Sequence, residues 1–218
     1  GFNDAFIING TLKDELIQKC PKSAEIIRPL LRGQDIKKYK IEFSDKWLIN
    51  SHNGIRQQSI PPVNVREYSS LYEHLKGYEN ELVKRLDKGD HWTNLRNCAY
   101  VLEFERPKIV WQELARSGNA FCYVENPMYL SNTCFMLTGM NSDALKFITA
   151  VELIPIPYGS TVVMQRVGKL VDTIQLKVKQ GQSCVHEEQE ISTIFYELYS
   201  LSDSEIEILN QRINSYFG

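Results

Sequence analysis

The sequence predicts an α+β fold. A mixed α/β body over residues 1–157, with a predominantly antiparallel or mixed sheet, is expected to be followed by a C-terminal helical region over residues 158–218. Before residue 140, several short segments alternate or run apolar as β-strands do. After residue 160, apolar residues recur at every third or fourth position, which is typical of amphipathic helices.

The N-terminal segment predicts two short helices. The hydroxyl of Thr11 can cap a helix over residues 11–19 by accepting a hydrogen bond from a free amide of its first turn. Ser23 can do the same for a helix over residues 23–31, and Gly33 follows that helix as a stop.

The next segment predicts strands and then a longer helix. Residues 39–43 and 46–50 are strand-like and are joined by a turn at residues 44–45, so we expect a β-hairpin. A proline-stiffened connector follows at residues 60–65. From about residue 69 to residue 86 the spacing of the apolar residues is helical.

Sheet strands and C-terminal helices account for the rest of the chain. Three segments alternate or run apolar like sheet strands: residues 107–114, 120–124 and 134–138. Helices are predicted over residues 161–180 and around residues 191–198, and Ser202 with Glu205 forms a capping box that opens a third. Each helix has one apolar stripe, which is most simply a helix-packing surface.

Composition places the chain among ordinary soluble globular proteins. Of its 218 residues, 43% are hydrophobic and 24% are charged, and the formal net charge is -2. No apolar run is long enough to cross a membrane, and no signal peptide opens the sequence. The five cysteines are scattered and form no CxxC pair. We therefore expect a cytoplasmic piece of a longer protein, with neither a disulfide framework nor a metal site.

Charge is distributed unevenly along the chain. Residues 19–46 contain eight Lys or Arg against four Asp or Glu, whereas residues 151–218 contain five against nine. This pattern predicts a basic face in the N-terminal part, which suits a polyanionic partner. A solvated charged face is the commoner meaning of such a run, so the pattern alone is weak evidence.

Motifs for bond chemistry are weak. Residues 126–129, Asn-Pro-Met-Tyr, differ by one residue from the N-P-P-Y loop with which amino-methyltransferases hold an adenine amine. No glycine-rich turn for S-adenosylmethionine precedes them, so they are interpreted as a turn. Asp90, Glu103, Glu105 and Lys108 are similar to the acid clusters of magnesium-dependent nucleases, but the required Glu-x-Lys is absent. We expect no catalytic residue and no cofactor in this chain.

Several motifs in a fixed order carry a resemblance to a known family. They are GFNDAFIING (1–10), KSAEIIRPLLRGQDIKKYK (22–40), WLINSHNG (47–54), RPKIVWQEL (106–114), LIPIP (153–157) and EQEISTIFYELYSLSDSEIEIL (188–209). Together they resemble the TaqI-like C-terminal specificity domain, over nearly the whole chain.

The resemblance implies a partner and a parent enzyme. In that family the domain is the target-recognition module at the C-terminal side of an adenine-specific DNA methyltransferase, often in one chain with a restriction endonuclease, the type IIG arrangement. This chain would then bind double-stranded DNA. Methyltransferase and nuclease domains outside it would use S-adenosylmethionine and, for cleavage, magnesium. Family members also have a longer segment before LIPIP, so a missing loop is expected around Ala150 to Glu152.

Polar or basic loops of the body are the candidates for DNA contact, because Lys and Arg hold phosphates while Arg, Asn, Gln and Lys can bond to base edges. The candidate DNA-binding residues are Arg32, Gln34, Lys37, Lys38, His52, Asn53, Arg56, Trp92, Asn94 and Arg96. The alternative for Arg32 to Asp35 is a structural turn in which these two residues are paired. Because specificity domains vary most where they read bases, the family likeness at Arg32 to Asp35 implies a structural role. The less family-like residues 51–59 are therefore the better candidate for base reading.

Two other functions are also compatible with the sequence. A protein-interaction or scaffolding module would use the helical region and the mild acidity. A divergent magnesium-dependent nuclease would use Asp90, Glu103 and Glu105. DNA affinity that falls steeply with salt would favour DNA recognition over scaffolding.

Overall fold

The chain folds into three small sheets with helices packed against them. The computed structural model describes residues 3–113, 120–150, 160–199 and 201–208. The strands are β1 (Ile7–Asn9), β2 (Ile27–Leu31), β3 (Ile36–Lys37), β4 (Lys40–Ile41), β5 (Lys46–Ile49), β6 (Lys108–Gln112), β7 (Cys122–Val124), β8 (Tyr129–Leu130) and β9 (Cys134–Leu137). The helices are α1 (Gly10–Lys19), α2 (Ser69–Lys76), α3 (Glu79–Val83), α4 (Ser142–Ala150), α5 (Thr161–Lys179) and α6 (Val185–Leu198), and residues 203–208 are also helical. The predicted α+β class is confirmed.

The sheets are mixed or antiparallel, as predicted. The first has the strand order β1-β5-β2-β8, with β5 antiparallel to both of its neighbours and β8 parallel to β2. The second is the hairpin β3-β4. The third, β7-β6-β9, is antiparallel throughout. The three predicted strands at residues 107–138 therefore form one sheet.

The first sheet packs against α1, α2 and α3. Ile8 of β1, Ile49 of β5, Leu16 of α1, Leu71 of α2 and Leu82 of α3 belong to one buried cluster. Burial of apolar surface of this kind is the main stabilising contribution to a fold. The cluster fixes the direction in which the chain leaves β5 and α3. The segments that follow these two elements contain several of the candidate DNA-binding residues.

Helices α5 and α6 present their predicted apolar stripes to each other and to α4. Val167 and Ile174 of α5 are fully buried, and Ile194 of α6 is 4% exposed. Tyr39, from the turn of the β3-β4 hairpin, lies in the same cluster. The helical region is therefore packed on the body, and the predicted boundary between residues 157 and 158 stays a prediction.

Residues 23–31 do not form the predicted helix. Pro21–Glu25 form a 3-10 turn, and Ile27–Leu31 form a strand that pairs with β5 and β8. Pro29 supplies the physical reason, because proline removes a hydrogen-bond donor and clashes with the preceding turn inside a helix. Ser23, expected to cap a helix, is buried with its Oγ 2.9 Å from Oγ of Ser70.

The cap of the first helix is also corrected. Asn9, rather than Thr11, caps α1, because its Oδ1 accepts a hydrogen bond at 2.9 Å from the backbone N–H of Leu12. The helix predicted over residues 69–86 is divided, since α2 ends at Lys76 with Gly77 as its C-cap, and α3 begins at Glu79. Glycine is a poor helix former, which makes this position a natural break.

The predicted hairpin of residues 39–50 is wrong in its pairing. Both strands form, but β4 pairs with β3, whereas β5 pairs with β1 and β2. The turn that closes a hairpin is at Lys38 and Tyr39, and Tyr39 adopts a left-handed conformation with φ of 57°. Packing of the Tyr39 ring among the C-terminal helices accompanies this unusual backbone.

Some expectations lie at or beyond the limits of the described residues. The expected missing loop near residues 150–152 and the LIPIP motif fall mostly in residues 151–159, which are outside them. The Ser202–Glu205 pair is described: the backbone N–H and the hydroxyl of Ser202 donate to the Glu205 carboxylate at 2.9 and 2.7 Å. Within the described ranges, no helix is both long and apolar enough for a membrane span.

Candidate nucleic-acid interface

Two of the candidate loops form one surface. Residues 51–60 follow β5 and residues 86–98 follow α3, and we term them together the paired-loop surface. Nδ2 of Asn53 donates to Oδ1 of Asn97 at 2.6 Å, and Oδ1 of Asn53 accepts from the backbone N–H of Asp90 at 2.8 Å. Asn53 therefore joins the two loops through both Nδ2 and Oδ1 of its side-chain amide.

The buried side chain of Asn94 also stabilises this surface. Its side-chain amide donates to three backbone carbonyls at 2.9–3.4 Å: Ser51, His52 and Val63. Gly89 lies so close to Asn53 that a Cβ at this position would be 2.4 Å from Oδ1 of Asn53. The close approach of the two loops therefore requires glycine there.

Asn53 and Asn94 are placed inside the protein. Both were candidates for DNA contact, but they are 6% and 3% exposed, and their amides are engaged with the loops. A base could reach them only after these buried hydrogen bonds were broken, which is costly. In this structure they shape the surface and do not face outward.

Arg56 and Arg96 are exposed on the same surface. The guanidinium of Arg56 lies 3.7 Å from the carboxylate of Asp90. An exposed pair of this kind contributes little stability, so Arg56 can exchange the carboxylate for a phosphate or a base edge. Trp92 is half-buried, with its ring centroid 6.1 Å from that of Tyr72, and it supports the loop from beneath.

His52 presents a neutral hydrogen-bond donor. Its Nδ1 accepts a hydrogen bond at 3.0 Å from the backbone N–H of Gly54, so Nδ1 carries no proton. Burial lowers the pKa of His52, which favours the neutral ring at pH 7. The proton of the neutral ring therefore lies on Nε2, and the side chain lines the large cleft described below.

Arg32 and Asp35 form the turn that the sequence offered as an alternative. The carboxylate of Asp35 accepts from the backbone N–H of Arg32 at 2.9 Å and lies 3.4 Å from its guanidinium. The backbone N–H of Gly33 donates to Oγ1 of Thr133 at 2.9 Å, and a Cβ on Gly33 would be 2.7 Å from the Thr133 carbonyl oxygen. This turn is therefore built against the loop between β8 and β9.

The remaining residues of the first candidate cluster are on the surface. Gln34 and Lys37 are exposed. Lys38 is exposed as well, and its Nζ lies 3.1 Å from the carboxylate of Glu188 in α6. Lys38 thus ties the body to the helical region, whereas Gln34 and Lys37 face solvent beside the Arg32 turn.

A cleft of about 970 Å³ lies between the paired-loop surface and the loop that contacts the Arg32 turn. Its lining includes His52 and Arg96 from the paired-loop surface, and Ser131 and Asn132 from the loop that contacts Gly33. Sequence reasoning did not select Asn132, which is exposed. The signal for it was the polar run at residues 131–133 between two apolar strands.

The acidic residues of the nuclease alternative do not converge. Each carboxylate has a different partner: Asp90 with Arg56, Glu103 with Thr138, and Glu105 with Tyr129. Across the described ranges, no group of three His, Cys, Asp or Glu side chains could hold a metal ion. The arrangement gives no support to metal-dependent cleavage by this chain.

Lys108 is buried in the third sheet. Its Nζ is 3.5 Å from the carbonyl oxygen of Asn126, and burial lowers its pKa to about 8, although Glu105 acts in the opposite direction. Tyr129 is buried nearby, where its hydroxyl donates to Glu105 at 2.8 Å and accepts from Nδ2 of Asn50 at 3.0 Å. Residues 126–129 therefore belong to an internal polar network that joins two sheets, in agreement with their interpretation as a structural turn.

Comparison with known proteins identifies the family. The family model of the TaqI-like C-terminal specificity domain matches residues 28–154. No match was found among curated proteins. Among solved structures, the type IIL restriction-modification enzyme MmeI in complex with DNA is similar, with a TM-score of 0.60 and 10% sequence identity. The match covers 98% of this chain and 34% of that chain, so the chain spans about a third of the MmeI chain. At this identity the likeness to MmeI concerns the fold. The family model, in contrast, matches more than half of the chain, and the chain therefore belongs to the TaqI-like C-terminal specificity domain family.

Proposed function

We propose that this chain selects the DNA sequence on which a restriction-modification enzyme acts. Membership of a specificity-domain family supports this role, as does the fold that the chain shares with MmeI, a protein solved in complex with DNA. The observation that carries the proposal is the paired-loop surface. It presents the exposed Arg56 and Arg96 and the neutral His52 beside a cleft, and buried asparagines hold it in one conformation.

Rigid loops suit sequence reading. A loop that is already ordered loses little conformational entropy on binding, so its hydrogen bonds contribute more fully to affinity and discrimination. Arg56 or Arg96 can form two hydrogen bonds with guanine, and the Nε2–H of His52 can donate to a purine N7 or guanine O6. Asn132, at the other region of the cleft, offers the amide geometry that suits adenine.

Exposed residues at the Arg32 turn supply part of the sequence-independent binding. Lys37 and Gln34 are exposed at the Arg32 turn, and contacts of this type with phosphates position a duplex without reading it. Affinity from such contacts decreases as salt concentration rises, because counterions are released from the DNA. In this proposal the Arg32 turn orients the duplex and the paired-loop surface reads it.

The chemistry belongs to domains outside this chain. A methyltransferase domain of the parent enzyme would extrude an adenine from the duplex and methylate its exocyclic amine with S-adenosylmethionine. A nuclease domain, in the type IIG arrangement, would use magnesium to cleave. This chain contributes the choice of site and the register of the duplex.

The helical region supports a second, compatible role in contact with another part of the parent protein. Val162 and Leu176 of α5 and Val185 of α6 are 73%, 56% and 56% exposed. Burial of these side chains against another domain of the parent would remove apolar surface from water and would stabilise that contact.

Selection of duplexes from a random pool by the full-length protein tests the proposed function. We expect one motif to be enriched, the same motif to be methylated in genomic DNA of cells that carry the protein, and affinity to decrease steeply with salt. The double variant Arg56→Ala, Arg96→Ala should relax the motif. Arg166→Ala on α5 is the matched control, since Arg166 is also an exposed arginine beside a carboxylate. Absence of any enriched motif would show that the proposed function is wrong.

A further inference from the structure

Leu86 has an unusual position for a leucine. Its side chain is fully exposed, at 103% of the reference value, in the turn between α3 and the Lys88–Leu95 bridge. An exposed leucine gains nothing from the fold, because stabilisation comes from apolar surface that is removed from water. Its apolar side chain is available to a partner.

The turn beneath Leu86 is anchored. Arg85, the preceding residue, is 9% exposed, and its guanidinium donates to the backbone carbonyls of Trp92 and Asn94 at 3.0 and 2.9 Å. The same guanidinium lies over the Phe6 ring, 4.7 Å from its centroid. Leu86 therefore projects from a turn that Arg85 anchors to the paired-loop surface.

The surroundings of Leu86 suit a nucleic acid. Its two neighbours in sequence, Arg85 and Asp87, line the large cleft together with Arg96. Lys84 and Lys88 are exposed on either side of Leu86, and Nζ of Lys88 also donates to the backbone carbonyl of Arg85 at 3.1 Å. Apolar side chains that enter DNA do so between base pairs, while neighbouring cations hold the phosphates of the same step. Interface cores between proteins are instead depleted of lysine, which makes a protein partner the poorer match.

We propose that Leu86 is an apolar wedge that inserts between two base pairs of the bound duplex and unstacks that step. The inference rests on the proposed function, because it assigns a role within the same DNA complex. Burial of the leucine side chain between bases offsets part of the unstacking cost, and Lys84 and Lys88 hold the phosphates around the opened step. An opened step also eases bending of the duplex or extrusion of a nearby base.

DNA binding by the full-length protein tests the wedge first. Leu86→Ala should weaken binding to the duplex that the wild-type protein selects by about tenfold, which corresponds to about 1.4 kcal/mol. The slope of log affinity against log salt should not change, because no phosphate contact is lost, whereas Lys88→Ala should reduce that slope by about one. Leu86→Met should restore most of the affinity. Leu102→Ala, which removes another exposed leucine that does not line the cleft, is the matched control and should bind like the wild type.

Fluorescence of 2-aminopurine, placed at successive positions of the selected duplex, provides the second measurement. The wild-type protein should raise the fluorescence at one step, because the probe brightens when it is unstacked, and Leu86→Ala should abolish that rise. A mismatch placed at the same step should raise the affinity of Leu86→Ala, because mismatched base pairs cost less to unstack. Thermal unfolding of Leu86→Ala should match that of the wild type, because the residue is exposed.

These experiments distinguish a failure of the wedge proposal from a failure of the proposed function. Unchanged affinity and unchanged 2-aminopurine fluorescence in Leu86→Ala, with selective binding by the wild type, would overturn the wedge alone. Normal DNA binding with impaired methylation would assign Leu86 to a contact with another domain of the parent and would also overturn the wedge. If the wild-type protein binds no duplex selectively, the proposed function fails, and the wedge fails with it.

Discussion

The side-chain oxygen of Asn53 accepts a hydrogen bond at 2.8 Å from the backbone N–H of Asp90, which follows it by 37 positions in the chain. This bond joins two loops that leave different elements, β5 and α3, and it turns them into one surface. Because Asn53 is buried, the bond is sheltered from competing water. The positions of Arg56 and Arg96 therefore depend on a residue that itself faces inward.

Asn53→Ala should destabilise the protein. The substitution leaves the N–H of Asp90 and the amide of Asn97 without their partner, and we expect a loss of about 1–3 kcal/mol in the free energy of unfolding. Denaturant titration followed by circular dichroism measures this loss. Asn132→Ala is the control, since Asn132 is exposed and its replacement should change stability by less than about 0.5 kcal/mol. Equal stability of the two variants would contradict the structural role of Asn53.

Arg56→Ala should reduce discrimination more than affinity. If Arg56 reads a base, the difference in binding free energy between the selected duplex and a single-base variant of it should decrease by about 1–3 kcal/mol. Fluorescence anisotropy with both duplexes at one salt concentration measures the effect. An equal loss on both duplexes would identify Arg56 as a phosphate contact instead.

Lys37→Ala should change the salt dependence of binding. A lysine that neutralises one phosphate contributes about one unit to the slope of log affinity against log salt, and its loss should weaken binding to all sequences alike. Affinities measured from low to moderate salt give this slope. Lys169, which is exposed on α5, supplies the comparison, and Lys169→Ala should leave the slope at the wild-type value. A sequence-dependent loss in Lys37→Ala would argue for base reading by Lys37.

Stability should decrease as the pH falls below about 6.5. Burial lowers the pKa values of His52 and His74, so the unfolded chain binds protons at these sites before the folded protein does. The stability is therefore fully present above the unfolded pKa of about 6.5 and is lost as the pH falls toward the folded pKa values. Urea titrations at pH values from about 7 to about 5 measure the decrease.

Substitution of the two histidines isolates their contribution. In the double variant His52→Gln, His74→Gln the dependence of stability on pH over that interval should be flatter than in the wild type. His186→Gln, at an exposed position of α6, is the matched control and should retain the wild-type slope. An unchanged slope in the double variant would contradict the assignment to His52 and His74.

Local sequence pattern was sufficient for the helical region and for the third sheet. The apolar spacing that includes Val167, Val171 and Ile174 predicted α5, and these residues form its buried face. The apolar runs around residues 107–138 predicted β6, β7 and β9. Both patterns depend on neighbours within one helical turn or one strand, so the chain contains the needed information locally. The ordered motifs likewise predicted the family to which the chain belongs.

Pairing between distant segments was not readable in the same way. The segment at residues 27–31 contains apolar residues that suit a helix or a strand, and its partners β5 and β8 lie elsewhere in the chain. The strands β4 and β5 were recognised, yet their partners were misassigned because strand propensity does not specify a neighbour.

The candidate site shows the same division. The sequence by itself determined the α+β class, the amphipathic helices, the family and the loops that concentrate polar and basic residues. Only the tertiary structure decided which of those residues face outward: Asn53 and Asn94 turn inward, Arg56 and Arg96 remain exposed, and Leu86 projects beside them. The physical reason is that the environment of a polar side chain is set by hydrogen-bond partners tens of residues away, which no local periodicity encodes.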